Sequence, residues 1–320
     1  MRKGRLKKLM YSEIKNIFGD ECLLDFSLSS RVSKIIFEGK QIGIKRDDEL
    51  SCGVSGSKYR KFSSIIPYIK SREFSHIVTE GSEFSNNIAG MCQLFNEYQI
   101  KYTLILKKGY SDQAVNKKLI KLLADENSKI TLERKDWKNR REKIDEICHR
   151  LETSGEKIVF LPEGSFHESA LPGSMTLAFD IDTKIYKEIF IDAGTGMSFV
   201  GLYYGLSLKN FTGKLYVISL FENKEYFEKK IASFKQLFPN VLIKIPYDII
   251  TLSESKSFGG LTNSLKENIK MLSREYGILT DPLYSGKSIP VALNKIKQEN
   301  FANALVIHSG GAQTLSGFID

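Results

Sequence analysis

The sequence predicts an α/β protein of two lobes, each a mostly parallel twisted sheet with helices on both faces. Three observations carry that expectation. Short β-rich runs alternate with stretches of helical spacing almost from end to end, the pattern of parallel strands joined by crossover helices. Eight such strands are too many for one small sheet. A chain of 320 residues, 42% of them hydrophobic, can also bury a large core and still have length for two lobes.

In chain order, the strands are expected at IGIK (42–45), HIVT (76–79), YTLIL (102–106), KIVFL (157–161), EIFID (188–192), KLYVISL (214–220), VLIKI (241–245) and ALVIH (304–308). Between them, apolar residues recur at helical spacing over 58–70, 85–98, 112–127, 137–153, 198–208, 222–238, 261–276 and 287–300. Ser85 and Asn86 suit the start of the second helix, because a side-chain oxygen there accepts from a free amide one turn in. The charge-dense stretch 133–150 has only Trp137, Ile144, Ile147 and Cys148 as apolar points, which predicts an amphipathic helix on the outside. The chain shows no low-complexity segment and no internal repeat.

Composition excludes several classes of function. Cys22, Cys52, Cys92 and Cys148 are scattered, with neither a Cys-x-x-Cys pair nor histidines at metal-ligand spacing, so reduced thiols and no metal site are expected. The basic start MRKGRLKKLM runs into polar residues, and no run approaches the ~18 apolar residues of a membrane span. A cytoplasmic protein without membrane contact is the expectation. The net charge of +9 suits anionic partners, but the lysines are spread over many helices and no nucleic-acid-reading motif is present. A basic surface that attracts anionic metabolites is the better reading, and no nucleic-acid partner is expected.

Two strings carry chemistry. Lys58 in SGSKYRKF (55–62) follows small residues and opens an amphipathic helix. Serine and glycine leave room for a planar ring, and the helix start directs the lysine. A lysine that forms a Schiff base must be uncharged part of the time, which burial and the nearby cations Arg60 and Lys61 favour. In DAGTGMSFVGL (192–202), a strand ending in Asp192 runs through Ala193, Gly194, Thr195, Gly196 and Met197 into a helix. Backbone amides at such a turn can hold a phosphate. The turn lacks the lysine of a nucleotide P-loop and does not fit Gly-x-Gly-x-x-Gly. A Schiff-base lysine with a phosphate cradle points to pyridoxal 5'-phosphate. Two further strings fit a ligand site: HSGGAQ (308–313) puts Ser309 at the C-terminal end of a strand, and DPLYSGKS (281–288) puts Tyr284 in a loop before a helix.

The order of IKRDD, GSKYRK, FSNN, LPEGS, GTGMSFVGL, DPLYSGK and HSGGA between about residues 42 and 318 resembles the fold type II pyridoxal-phosphate enzymes. More narrowly, it resembles the 1-aminocyclopropane-1-carboxylate deaminase and D-cysteine desulfhydrase group. That resemblance implies a large cofactor-binding domain from residues 1–59 and 161–320, a small domain from 60–160, and a homodimer. It makes Lys58 the lysine that bonds the cofactor and moves the substrate proton. Asn86 is placed on the cofactor's phenolic oxygen, Ser85 and Asn87 against the substrate carboxylate, and residues 193–197 around the phosphate. Ser309 is placed at the ring nitrogen, where a neutral hydroxyl fits a fold type II enzyme, which need not hold that nitrogen protonated. Tyr284 stands on the substrate side as acid or nucleophile.

The chain departs from the family pattern at several points. Gly56-Ser57-Lys58 stands where Gly-Asn-Lys is usual, and Asn87 where His or Gln is. Ser165, Phe166 and His167 replace a Gly-Gly-Ser-Asn segment, Phe258 takes the place of a second tyrosine, and Ser285 that of the deaminases' glutamate. The implied function is a lyase or deaminase acting on a small amino acid. It resembles D-cysteine desulfhydrase, with α,β-elimination to a 2-oxo acid and ammonia, or the ring-opening deaminase. Two alternatives keep the cofactor: β-replacement in an altered pocket read by Phe166 and His167, or a cofactor-binding homologue without turnover.

Overall fold

Ten strands form two sheets in the computed structural model, which describes residues 2–51, 53–54, 56–239, 244–252 and 262–317. The first helix, α1 (Arg2–Phe18), precedes a hairpin of β1 (Val32–Phe37) and β2 (Lys40–Arg46). Only Glu38 and Gly39 join these strands, both at positive φ, as a tight turn matched to strand twist requires. Next come α2 (Ser57–Ser71), β3 (His76–Ser82), α3 (Asn86–Glu97), β4 (Lys101–Lys107), α4 (Val115–Leu123), β5 (Lys129–Leu132), α5 (Arg140–Thr153) and β6 (Ile158–Leu161). The remainder is α6 (Leu171–Met175), β7 (Glu188–Ala193), α7 (Met197–Leu208), β8 (Lys214–Ser219), α8 (Lys224–Ala232), β9 (Tyr247–Thr251), α9 (Asn263–Tyr276), α10 (Ser285–Gln298), β10 (Ala304–His308) and a closing 3-10 turn, Ala312–Gly317.

The larger sheet has the order β1-β2-β10-β7-β8-β9 and is parallel except for the hairpin edge, whereas the smaller, β5-β4-β3-β6, is parallel throughout. Alternation along the strands explains the layers. Ile189 and Ile191 of β7 face α7, while Phe190 faces the α9 and α10 side with Leu272, Ile289 and Leu293. In the smaller sheet, Ile77 joins the core of α2 and α3, and Val78 and Ile105 pack on Ile144 and Ile147 of α5. One core therefore runs through α2 and α3 from sheet to sheet. Helix α7 is apolar on every side and buried along nearly all its length, as expected of a central helix.

The strand expected at 241–245 falls largely outside the described residues, and a strand is found at Tyr247–Thr251, just beyond Pro246, which has no N–H to give a ladder. β1 and β5 are strands the expectation lacked, as is helix α1, which puts Met10 and Ile14 in the core. Among the described residues, no helix is long and apolar enough to cross a membrane.

Candidate active site

The C-terminal ends of β3, β6 and β7 and the start of α2 meet at one place, and an open cavity lies there. Lys58, Lys61, Ser85, Asn86, Asn87, Asp192, Tyr284 and the turn 193–197 line it. The position of Lys58 follows from two anchors. Gly56 stands at φ 65, and a Cβ on it would run into the Ser309 carbonyl, to which the Ser57 amide donates at 3.0 Å. This close approach needs glycine. Two residues beyond Lys58, Arg60 is fully buried. It donates through Nε to Asp47 at 2.6 Å, through Nη2 to Asp47 at 2.9 Å, and through Nη1 to the Leu28 and Thr176 carbonyls. Asp47 also meets the buried Lys45 at 3.1 Å. These cations hold its carboxyl far below the ordinary carboxylate range. The IKRDD and KYR strings thus interlock to fix the first turn of α2.

Arg60 is consequently occupied away from the cavity, and Lys61 is the cation that sits beside Lys58. Its ammonium donates to the Gly164 carbonyl at 2.6 Å and to Asn87 Oδ1 at 3.0 Å, both uncharged oxygens. Burial first, and Lys58 second, push its pKa down to about 7. A buried cation held only by uncharged oxygens is half of an ion pair awaiting an anion.

Ser85 caps α3, its Oγ accepting from the Asn87 and Ile88 amides. Asn87 is engaged on both sides, since its Nδ2 also donates to Ser165 at 2.9 Å. The Asn86 amide has a fixed sense. Asn116 Nδ2 donates to the Phe84 carbonyl, so it is a donor to Asn86 Oδ1 as well, at 2.7 Å; Gln313 donates to the same oxygen at 2.9 Å. Asn86 Nδ2 is then a buried donor with no protein partner. Gly311, at φ 95, leaves room for that amide.

The turn after β7 brings Gly194 against Tyr284 and Gly196, at φ 92, to the start of α7. A Cβ on Gly164 would collide with Thr195, so this glycine lets the 163–165 turn close over the cradle. The Tyr284 ring centroid is 5.3 Å from Lys58 Nζ. Burial, then Asp281, Asp192 and Glu163, raise its phenol well above the usual range, so it stays protonated. Ser309 Oγ donates to Asp192 at 2.9 Å.

Other positions lie elsewhere. Ser285 is buried and bonded to Asp281, whose carboxylate caps the start of α10. Phe166 packs on Phe234 under Lys230, and His167 caps a turn beside Tyr68; neither is among the residues that line the cavity. Phe258 lies outside the described residues. The sequence reading gave no role to Asp192 as a side chain, or to Asn116 and Gln313; Asn116 is one polar residue in a helix of lysines and leucines, with nothing local to mark it.

The residues fit pyridoxal 5'-phosphate on the cavity's own terms: an amine, a glycine-lined amide cradle, a lone buried cation, and an unpartnered donor in Asn86. The architecture is that of the fold type II pyridoxal-phosphate enzymes. No family model matches the chain. A D-cysteine desulfhydrase from Yersinia pestis is 23% identical over 90% of this chain and 91% of its own. A bifunctional mitochondrial D-cysteine desulfhydrase/1-aminocyclopropane-1-carboxylate deaminase from Arabidopsis thaliana is 23% identical over 88% and 75%. Among solved structures, an ACC deaminase homologue superposes with a TM-score of 0.83 at 21% identity, covering 94% of this chain and 95% of that one. A pyridoxal 5'-phosphate-dependent aspartate racemase gives a TM-score of 0.62 at 15% identity over 95% of each chain. Within that architecture, the chain is similar over most of its length to proteins named D-cysteine desulfhydrase and 1-aminocyclopropane-1-carboxylate deaminase.

Proposed function

We propose that this chain is a pyridoxal 5'-phosphate-dependent lyase or deaminase of small amino acids, with D-cysteine desulfhydrase-like α,β-elimination to a 2-oxo acid and ammonia as its leading reaction. The observation that carries the reading is the convergence of Lys58, the Asn86 donor, the 193–197 turn and Tyr284 on one cavity. The cofactor, when bound, supplies an electron sink for the carbanion left by proton removal.

The chain's own residues supply the rest. Lys58 Nζ would hold the cofactor by its aldehyde carbon and would take up the proton removed from the substrate. Asn86 Nδ2 donates to the phenolic oxygen, and the amides of 193–197 with the Lys61 ammonium hold the phosphate. Ser85 Oγ accepts from two amides and keeps its proton to donate to a substrate carboxylate, at the positive end of α3. Tyr284 Oη, held protonated, serves a leaving group as an acid rather than as a phenolate nucleophile. Ser285 is tied to Asp281 and does not reach the cavity, which favours elimination over ring opening. A cytoplasmic homodimer belongs to the same reading.

The test is the absorption spectrum of purified protein with and without Lys58→Ala, followed by D-cysteine and the cyclopropane acid. The expected result is a visible cofactor band lost in the variant, and sulfide with 2-oxo acid from D-cysteine without added nucleophile. A band that no amino acid perturbs would leave a cofactor-binding protein without turnover.

A further inference from the structure

Asp192 and Glu163 are charged side chains lining the cavity to which the reaction above gives no task, and of the two Asp192 is the buried one. It is 6% exposed, accepts from Ser309 through Oδ2, and its Oδ1 is buried with no partner. A buried carboxylate with half its accepting capacity empty is costly, so the site is finished only by a molecule that brings a donor or a positive charge. The charged groups that act on it are Lys58, attractive, and Asp281, repulsive. Asp281 cannot share its load, because the amides of Leu283, Tyr284 and Ser285 fill it.

Ser309 has a single hydroxyl proton and gives it to Asp192. Its oxygen then offers a further partner only lone pairs, and the resemblance places the cofactor's ring nitrogen there. A neutral pyridine nitrogen also offers a lone pair, and two acceptors facing each other repel. A pyridinium N–H is the matching partner. We propose that Asp192, through Ser309, holds the ring nitrogen of the bound cofactor in its protonated, cationic form. The ring's proton is donated to Ser309 Oγ, the serine's own proton to Asp192 Oδ2, and the carboxylate balances the charge. A lone serine need not hold that nitrogen protonated; the carboxylate behind it does, and strengthens the electron sink. The inference rests on pyridoxal 5'-phosphate being the bound group. Its rival keeps the proton on Asp192, whose affinity for it burial raises, and leaves the ring neutral.

The experiment is 15N NMR of the holoenzyme loaded with cofactor labelled at the ring nitrogen, at neutral pH. The wild-type resonance is expected at the pyridinium position. In Asp192→Asn, and in the smaller Asp192→Ser, it is expected to move to the neutral pyridine position while the visible band is retained; Ser309→Ala is expected to move it the same way. A wild-type resonance at the pyridine position overturns the inference while leaving cofactor binding intact, and so does a pyridinium resonance that survives in every Asp192 variant. Failure of the wild-type protein to take up the label overturns the proposed function itself.

Discussion

Lys61 shows how one buried atom couples binding to pH. Its folded pKa of about 7 lies below the ordinary 10.5, so between those values the unfolded chain holds the extra proton. Stability of the unliganded protein from this group therefore rises with pH across that window. An anion in the cavity restores the ammonium, so binding takes up a proton above pH 7. Sulfate, which stays a dianion throughout this window, is expected to bind the apoprotein more weakly as pH rises from about 7 to about 9. Lys61→Met should bind weakly and with no such slope, as calorimetric titration can check. An unchanged slope in the variant would remove Lys61 from the phosphate site. A second residue-scale prediction concerns Asn116. Its loss in Asn116→Ala takes one acceptor lock from Asn86 and leaves the Phe84 carbonyl unpaired, costing about 1–3 kcal/mol. Cofactor affinity should fall about tenfold, with weaker binding read by titrating the visible band.

At the scale of the element, the first turn of α2 rests on a charge network rather than on its cap, since Gly56 makes no side-chain hydrogen bond. Asp47→Asn leaves Arg60 buried without its anion and Lys45 with only Asp180, at 3.6 Å, a loss of about 3–5 kcal/mol, visible as a lower denaturation midpoint and a weakened cofactor band. The pH sign is the opposite of that at Lys61. The Asp47 carboxyl is depressed, so its contribution is complete above the ordinary carboxylate range, about pH 4, and is lost as pH falls towards its folded value. The variant should therefore lack part of the wild-type acid sensitivity. What the sequence makes legible at this scale is instructive. Helix α2 and the turn after β7 are readable because glycine, spacing and order are local signals. The strand at 247–251 is not, because its YDIIT is a weaker β run than the neighbouring VLIKI. Arg60 is misread as a neighbour of Lys58 for a related reason: sequence distance says nothing of which side of the helix start a side chain takes, and its partners Asp47 and Thr176 come from far along the chain.

Across the whole molecule, the site depends on how the two sheets face each other, and here the sequence supplies the pieces without their relation. Ser85 leads from β3 of the smaller sheet, whereas Asp192 and Ser309 end strands of the larger one. Helix α2 packs on both α3 and α6, which makes it the natural pivot between them. We propose that residues 60–160 move as a small lobe that closes on bound substrate and excludes water. The far rim of the cleft is the approach of α4 to the closing turn Ala312–Gly317, where a Cβ on Gly317 would lie 2.8 Å from Val115 Cγ2. A cysteine pair at Val115 and Gly317 is within disulfide reach and should pin the lobes when oxidised. Turnover of D-cysteine is expected to fall at least tenfold on oxidation and to return with reductant, while each single variant behaves as wild type. If the oxidised pair turns over at the wild-type rate, the two sheets form one rigid frame, and substrate enters and leaves without relative movement of the lobes.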